Sequence, residues 1–484
     1  MRKLQNYLLF SVKRFIFAPV NIYYLYMNKS FLSFINGIFL LFFFLGSGIQ
    51  SVCGQNFRDQ QDLQWVAYPV SLQGKHHAPS TDWTYRLGEK ASILVKLLYH
   101  GVPMTDVEVS YNVAADCMPH DGEWKKVRVA HDGSAAIEFT SQKPGFSDVL
   151  MRCTIDGKEF QNHIKVGFRP DMLTPYTKDP ADFDRFWQQV LKEQESVALK
   201  PVVTPAPEYS SDKVDCYLVK LNGGTRQVPH VMYGYVSIPK KEGKYPVLVS
   251  PPGAGVKPMN PLKTQFYASE GDIIRLDLEI HGINPALSAD DYKDISRSFG
   301  DHNANGYLAS GLQSRDTYYM KKVYPMLLRA VDYLTTLPQW DGKNILVQGN
   351  SQGAALSLVL AALDKRITAV AVAHPALSDM AGYAEKGRTG GYPHFGNKYK
   401  EVALTPQVIE TLSYYDVVNF ARRVTCPVYM TWGYNDNTCP PTTSWIVWNT
   451  LKCQKEMYLT PINEHWISTE TRYRQMRYLL SQCK

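Results

Sequence analysis

The stretch GNSQG at residues 349–353 is the most informative motif in this 484-residue chain. It follows an apolar run at residues 344–348 and precedes a run rich in alanine and leucine at residues 354–363, so it joins a predicted strand to a predicted helix. A serine between two glycines at such a joint is typical of a nucleophile elbow, a sharp turn that exposes the serine hydroxyl. The glycines let strand and helix approach closely. The pattern therefore predicts that Ser351 is a nucleophile and not an ordinary turn residue.

A serine hydroxyl needs a base, and the base needs a group that orients it. After an elbow of this kind the chain order is serine, then an acid, then histidine. His465 follows the last predicted strand and is the predicted base. Asp436, in the loop GYNDNTCPP at residues 433–441, is the predicted acid, and Asp379 after the preceding strand is its rival.

Backbone N–H groups are predicted to stabilise the negative oxygen that forms during attack. One comes from Gln352, directly after the serine, and the other from the loop at residues 250–255. The two prolines of that loop have no N–H to donate. Ala254 is therefore the first candidate for the second donor, and Gly255 is the next.

Two more histidines follow the elbow. His374 ends a predicted strand before Pro375 and is predicted to pack there. His394 lies in a glycine-rich insertion, where it is predicted to line or cover a pocket.

From residue 214 onward, strand and helix patterns alternate, which predicts a mostly parallel sheet covered on both faces by helices. A helix is predicted over residues 316–336, with a kink at Pro325. The predicted strands of this part lie at residues 245–250, 272–277, 344–349, 368–374, 426–432 and 456–460.

The preceding part of the chain has a different pattern. Short alternating runs separated by turn residues over residues 62–168 predict a small immunoglobulin-like β-sandwich. Residues 170–180 are predicted to be a linker. We therefore predict two domains, a sandwich at residues 60–170 and an α/β domain at residues 175–484.

Residues 1–54 have the features of a secretory signal peptide, with Lys29 before the apolar run at residues 31–46 and small residues after it. The alternative is a membrane anchor, but the run is shorter than the ~20 residues of a spanning helix. Met27 is a plausible start. This pattern predicts an exported protein, periplasmic or extracellular, with no stable membrane span after processing.

The positive charge of the chain lies mostly in that segment, which holds five basic and no acidic residues, so its removal lowers the net charge from +7 to +2. A charge of +2 with no later block of like charges gives no support for nucleic-acid binding. Seven of the eight cysteines remain after cleavage, and none has the spacing of a zinc site. No metal site is predicted.

Several linked motifs resemble the acetyl xylan esterase and cephalosporin C deacetylase family over residues from about 170 to 484. The stretch GNSQGAA at residues 349–355 is similar to the family's GGSQGG elbow, and the loop at residues 433–441 is similar to its aspartate loop. The stretch PADFDRFW at residues 180–187 and the TYY of residues 317–319 are also similar.

This resemblance implies an α/β-hydrolase fold and hydrolysis of acetyl esters on small sugars and oligosaccharides through an acyl-enzyme, without a metal or organic cofactor. It implies a triad of Ser351, Asp436 and His465, with Gln352 as the elbow N–H donor. It also implies a possible homo-oligomer, since the family often forms ring-shaped hexamers.

The chain departs from the family at three places. Ala254 replaces the tyrosine of a His-Gly-Tyr loop, His281 begins the segment where Arg-Gly-Gln is usual, and Trp466 replaces an acidic residue after the histidine. His281 is either a structural residue or a pocket contact. Two alternatives to the esterase are a serine peptidase of the prolyl-oligopeptidase type and a non-catalytic carbohydrate-binding protein on a hydrolase fold.

Overall fold

A computed structural model describes residues 63–73, 76–79, 82–225, 229–299 and 306–484, so the predicted signal peptide lies outside the described residues. The chain divides after Gln64 into two compact units, and residues 65–484 form the second of them. In the described ranges no helix combines the length and the apolar character needed to cross a bilayer.

Among the described residues before 170, the strands form two five-stranded sheets. The first has the order β2-β1-β4-β5, with β8 also paired to β4, and the second has the order β3-β10-β9-β6-β7. The strands are β1 (Leu63–Gln73), β2 (His76–Pro79), β3 (Thr84–Tyr85), β4 (Lys90–Tyr99), β5 (Val102–Pro103), β6 (Glu108–Ala115), β7 (Lys125–Arg128), β8 (Ser134–Thr140), β9 (Gly145–Ile155) and β10 (Lys158–Phe168).

The two sheets face each other across an apolar interior. Alternate residues of β4, such as Ile93 and Val95, are completely buried, as expected for strands with one face in a core. The ring of Phe139 on β8 contacts that of Phe168 on β10, with centroids 5.9 Å apart. The described residues between 65 and 168 thus form two sheets that pack against each other.

The C-terminal part is built on a nine-stranded sheet with the order β11-β12-β13-β15-β14-β16-β17-β18-β19. Pairing is antiparallel from β11 to β15 and parallel from β15 to β19. The strands are β11 (Val202–Pro205), β12 (Val214–Gly224), β13 (Pro229–Pro239), β14 (Tyr245–Ser250), β15 (Ile274–Glu279), β16 (Trp340–Asn350), β17 (Ala369–Ala373), β18 (Val428–Trp432) and β19 (Lys455–Leu459). The six strands predicted from the sequence correspond to β14–β19; both ends of β14 are as predicted, and each of the other five differs at one or both ends.

Helices cover both faces of this sheet. They are α1 (Phe183–Glu195), α2 (Phe266–Ser269), α3 (Ala289–Ser298), α4 (Met320–Leu334), α5 (Gln352–Leu363), α6 (Pro406–Ser413), α7 (Val417–Ala421), α8 (Pro441–Thr450) and α9 (Thr469–Ser481). Val247 and Val249 of β14 belong to the core that contains α4 and α5. Leu248 between them packs on the other face with Met476 and Leu479 of α9. The expectation of a mostly parallel sheet between two helical layers is confirmed.

Helix α5 is apolar on all sides, and every residue from Gln352 to Ala362 is buried. A helix of this kind is stable only inside a core. Its position fixes the elbow at its N-terminus against the centre of the sheet. The predicted helix around Pro325 is α4, and this proline lies inside it.

Candidate active site

Ser351 lies between β16 and α5 with φ 57° and ψ −124°, a region that residues other than glycine seldom adopt. Such a conformation persists only where surrounding contacts impose it. Here the Ser351 N–H donates to the Ala373 carbonyl at 3.0 Å, and the Ser351 carbonyl accepts from the Ala376 N–H at 3.1 Å. Both partners belong to the end of β17 and the turn after it, so the neighbouring strand holds the turn in place.

The two glycines of the elbow are required by close backbone contacts. A Cβ added to Gly349 would lie 2.2 Å from the Gly353 carbonyl oxygen, and one added to Gly353 would lie 2.4 Å from the Pro251 carbonyl oxygen. The second contact brings the loop after β14 against the elbow. The predicted reason for both glycines agrees with these distances.

The structure brings Ser351, His465 and Asp436 together in a hydrogen-bonded chain. His465 Nε2 lies 3.0 Å from Ser351 Oγ, and His465 Nδ1 lies 2.8 Å from Asp436 Oδ2. Because the carboxylate can only accept, the neutral imidazole carries its proton on Nδ1. Its Nε2 is then free to accept the hydroxyl proton of Ser351. This is the geometry of a serine nucleophile with its base and the group that orients the base.

Asp436 is completely buried and its carboxylate is well satisfied. Besides His465, it accepts hydrogen bonds from the backbone N–H groups of Thr438 at 2.8 Å and Cys439 at 2.9 Å. Burial acts to raise the pKa of Asp436, but the hydrogen bond and charge of His465 hold this pKa below its ordinary value. Asp436 is therefore ionised at neutral pH.

Two further residues lie beside this group: His374, which the sequence predicted to pack at the end of its strand, and Cys439, for which no role was predicted. The His374 ring lies 4.5 Å from that of His465, and burial lowers the pKa of His374 to about 4, so this ring is neutral. Cys439 Sγ lies 3.9 Å from Ser351 Oγ, and burial raises the pKa of this thiol well above its ordinary value. A signal existed for His374, since it ends the strand next to β16 and the carboxyl ends of parallel strands share one edge.

His374, Asp436 and His465 offer nitrogen and oxygen atoms within 4.8 Å of one another, close enough for a metal ion. Both nitrogens of His465 already have partners, however, in Asp436 and Ser351. A metal held by these three residues would draw His465 away from the serine.

The predicted oxyanion donors are Gln352 and Ala254. Gln352 begins α5, so its N–H is one of the amides that a helix leaves without an intrahelical acceptor. In the facing loop the Gly255 N–H donates to Tyr307 Oη at 3.2 Å, and Tyr307 Oη donates to Gln352 Oε1 at 2.7 Å. Gly255 is thus already engaged, which favours Ala254 over Gly255 as the second donor. Tyr307 carried no recognisable sequence signal.

The remaining predicted residues have other partners. His281 Nδ1 lies 2.8 Å from Tyr319 Oη, and its ring packs against Tyr307. Because Tyr307 is bonded to Gly255, His281 contacts the loop at residues 250–255 indirectly, through Tyr307. His394 is buried and uses both ring nitrogens, Nδ1 with Tyr383 Oη and Nε2 with the Thr438 carbonyl, each at 2.9 Å. It contacts the aspartate loop, and lining or covering a pocket stays a prediction.

Asp379, the rival acid, accepts the backbone N–H groups of Tyr176 and Thr177 and pairs with Arg388 at 3.1 Å. These partners tie the predicted linker to the α/β part. None of them is His465, so the structure pairs the histidine with Asp436 and not with Asp379.

A serine on a strained strand-to-helix turn, followed along the chain by a carboxylate and a histidine bonded to it, defines the class of this protein as an α/β-hydrolase. The sequence model of the family described as acetyl xylan esterase matches residues 171–482. The chain therefore belongs to the acetyl xylan esterase family, and it is a carboxylic ester hydrolase.

Known proteins resemble this chain in sequence or in fold. Acetyl esterase Axe7A of Xylanibacter ruminicola is 49% identical over 449 residues, which are 92% of this chain and 97% of Axe7A. Acetyl xylan esterase 1 from Thermoanaerobacterium sp. JW/SL YS485 has a TM-score of 0.56 and 22% identity, covering 65% of this chain and 98% of its own. The acetyl xylan esterase from Paenibacillus sp. R4 has the same TM-score and coverages at 25% identity.

Proposed function

We propose that the chain is an exported serine esterase that removes acetyl groups from acetylated sugars or xylo-oligosaccharides. The observation that carries the proposal is the hydrogen-bonded chain from Ser351 Oγ to His465 at 3.0 Å and from His465 to Asp436 at 2.8 Å. Family membership supports an acetyl ester as the substrate. The apolar segment at residues 31–46 supports export.

The reaction begins when His465 Nε2 takes the Ser351 hydroxyl proton and Oγ attacks the acetyl carbonyl carbon. The π electrons of the carbonyl move to its oxygen, where the N–H groups of Gln352 and Ala254 stabilise the negative charge. Collapse of this intermediate breaks the bond to the sugar oxygen, which leaves with the proton from His465. Asp436 holds the imidazole in its tautomer and stabilises the imidazolium ion.

The acetyl group is then on Ser351 as an ester. His465 removes a proton from water, the hydroxide oxygen attacks the acetyl carbon, and acetate leaves as Ser351 Oγ regains a proton. Both halves use the same base and the same N–H donors. No redox partner or further reactant besides water is needed for the atoms to balance.

The substrate is suggested by two similar proteins, the acetyl esterase Axe7A and the acetyl xylan esterase from Paenibacillus sp. R4. One local feature agrees with a sugar substrate. Trp466, directly after the proposed base His465, is 51% exposed and offers an aromatic ring to solvent. The family's acidic residue is absent at this position, so we expect the preferred acetylated sugar to differ from that of relatives that retain it.

The test compares the wild-type protein with Ser351→Ala on p-nitrophenyl acetate and on an acetylated xylo-oligosaccharide, with acetate release as the measurement. We expect the variant to lose about four to six orders of magnitude in kcat. Ser357→Ala is the matched control, because this serine lies six residues further on, buried within α5, and its hydroxyl donates to the Gly353 carbonyl. Turnover of the activated ester alone would overturn the sugar substrate, and activity surviving in Ser351→Ala would overturn the serine mechanism.

A further inference from the structure

Lys165 on β10 is a completely buried lysine whose ammonium group lies between the N-terminal sheets and the aspartate loop. Its Nζ donates to Asp116 Oδ1 at 2.8 Å, to the Asp436 carbonyl at 2.8 Å and to Asn437 Oδ1 at 2.7 Å. An ammonium has three hydrogens, and here each has an acceptor. Burial acts to lower the pKa of Lys165, but the charges of its neighbours, with Asp116 the largest contributor, and the hydrogen bond to Asp116 together raise this pKa above its ordinary value. The group is therefore charged.

Asp116, which follows β6, extends the same network to the far end of the aspartate loop. Its Oδ2 accepts from the Thr442 N–H at 3.2 Å and from Thr442 Oγ1 at 2.7 Å. Thr442 lies in the first turn of α8, directly after the loop. The Asp116–Lys165 pair thus contacts the loop on both sides of Cys439, the residue whose N–H binds the Asp436 carboxylate.

The backbone of β10 connects this network to the loop that carries the catalytic histidine. The Lys165 N–H donates to Asn435 Oδ1 at 2.9 Å. The Asn435 amide in turn donates to the Ile462 carbonyl at 3.2 Å, and the Asn435 N–H donates to the Asn463 carbonyl at 3.2 Å. One residue of the N-terminal sheets is therefore bonded directly to the aspartate loop and, through Asn435, to the loop that precedes His465.

We infer that the Asp116–Lys165 pair is a positioning element of the active site, by which the N-terminal sheets hold Asp436 in hydrogen-bond contact with His465. Neither residue touches the reacting atoms, so the pair acts through the loop. The inference rests on the proposed roles of Ser351, His465 and Asp436. It assigns to the N-terminal sheets a part in catalysis that the family match at residues 171–482 does not include.

Stability alone does not explain this arrangement. A buried ion pair is often no more stabilising than apolar residues of similar size, whereas removal of one partner leaves an uncompensated charge and is strongly destabilising. Whether Lys165 alone or the whole pair is replaced, the hydrogen bonds from Lys165 to the Asp436 carbonyl and to Asn437 are lost. A misplacement of about 1 Å in a catalytic group can reduce the rate about 100-fold.

The experiment measures kcat and KM with p-nitrophenyl acetate, and urea unfolding, for Lys165→Met and for the double variant Lys165→Met/Asp116→Asn. We expect both to lose about 10- to 100-fold in kcat with little change in KM. The double variant should be the more stable of the two, because it leaves no unpaired buried charge. Lys90→Met is the control, since Lys90 pairs with Glu138 at 2.9 Å on the exposed surface of the same sheets, and its kcat should equal that of the wild type.

The burst of p-nitrophenol counts working active sites, so kcat is expressed per titrated site. A double variant that folds and has the wild-type kcat would overturn the inference, even if Lys165→Met fails to fold. A variant whose activity per total protein is reduced but whose kcat per titrated site equals that of the wild type would also overturn it, because the pair would then affect only the fraction of protein that folds. Activity in Ser351→Ala would instead reject the proposed triad, which distinguishes the two failures.

Discussion

At the scale of single residues, Ser351 has an unfavourable backbone conformation that its neighbours stabilise. The φ of 57° is held by hydrogen bonds to Ala373 and Ala376, residues of the adjacent strand end. Tyr307 supports the region of the proposed oxyanion donors in the same way, because its hydroxyl accepts from the Gly255 N–H and donates to the Gln352 side chain. The groups with proposed catalytic roles are thus supported by buried neighbours.

Tyr307→Phe tests that dependence. Loss of the hydroxyl leaves the Gly255 N–H and the Gln352 side-chain oxygen without this partner, so the loop and the elbow are no longer joined. We expect kcat for p-nitrophenyl acetate to fall about 10-fold with KM unchanged, less than the roughly 100-fold loss of a whole oxyanion donor.

Tyr318→Phe is the matched control for this substitution, because the Tyr318 hydroxyl is buried with no hydrogen-bond partner among the described residues. Its kcat should equal that of the wild type. An increase in kcat on Tyr307→Phe would contradict the assignment of Ala254 and identify Gly255, released from the tyrosine, as the donor.

At the scale of elements, the site is built where β14, β16 and α5 meet. The alternation of strand and helix patterns was sufficient to predict β14–β19, because each strand is a short apolar run that periodicity detects. The predicted ends of most of these strands were less accurate. Strand β15 spans Ile274–Glu279 where residues 272–277 were predicted, since hydrogen bonding to neighbouring strands sets where a strand ends.

Gly353→Ala tests the close packing of these elements. The added Cβ would lie 2.4 Å from the Pro251 carbonyl oxygen, a backbone atom that cannot rotate away. We expect a loss of about 1–3 kcal/mol in the free energy of unfolding, as for other overpacked sites, together with reduced kcat. Urea unfolding measures the first and p-nitrophenyl acetate turnover the second.

Gly122→Ala is the control, because its added Cβ would meet only the Asn112 amide at an ordinary contact distance of 3.6 Å. Equal stability of the two variants would show that the loop after β14 can move away from the elbow.

At the scale of the whole molecule, residues 65–484 are one compact unit, although the sequence predicts two domains. The rings of Phe146 on β9 and Tyr434 in the aspartate loop pack with centroids 4.7 Å apart, so the two parts share a core as well as the Asp116–Lys165 pair. The predicted boundary between residues 170 and 175 stays a prediction, as do export and a homo-oligomer.

Buried histidines make the stability of the whole molecule depend on pH. Burial lowers the pKa of His394 to about 3, below the ordinary value of 6.5. Between these values the unfolded chain binds a proton that the folded protein does not, so stability is present above pH 6.5 and is lost as the pH falls. For this one group the loss between pH 7 and pH 5 is about 2 kcal/mol.

His394→Gln should therefore reduce the difference in unfolding free energy between pH 7 and pH 5, measured by urea unfolding at both values. Because the hydrogen bonds of His394 are lost from the variant at both pH values, their effect cancels when the pH 7 to pH 5 difference of the variant is compared with that of the wild type. His131→Gln is the control, since His131 is exposed and its replacement should leave the difference as it is. A pH dependence identical in wild type and His394→Gln would show that His394 is not the group that titrates.

The sequence alone determined the elbow, the order of Ser351, Asp436 and His465, and the parallel sheet, because local periodicity and turn chemistry encode them. Contacts between residues far apart in the chain became visible only in the tertiary structure. It paired His465 with Asp436 and not with Asp379, engaged Gly255 with Tyr307, and placed Lys165 beside a loop about 270 positions away in the chain. Such contacts follow from the packing of separate elements against each other, and no spacing of residues along the chain records them.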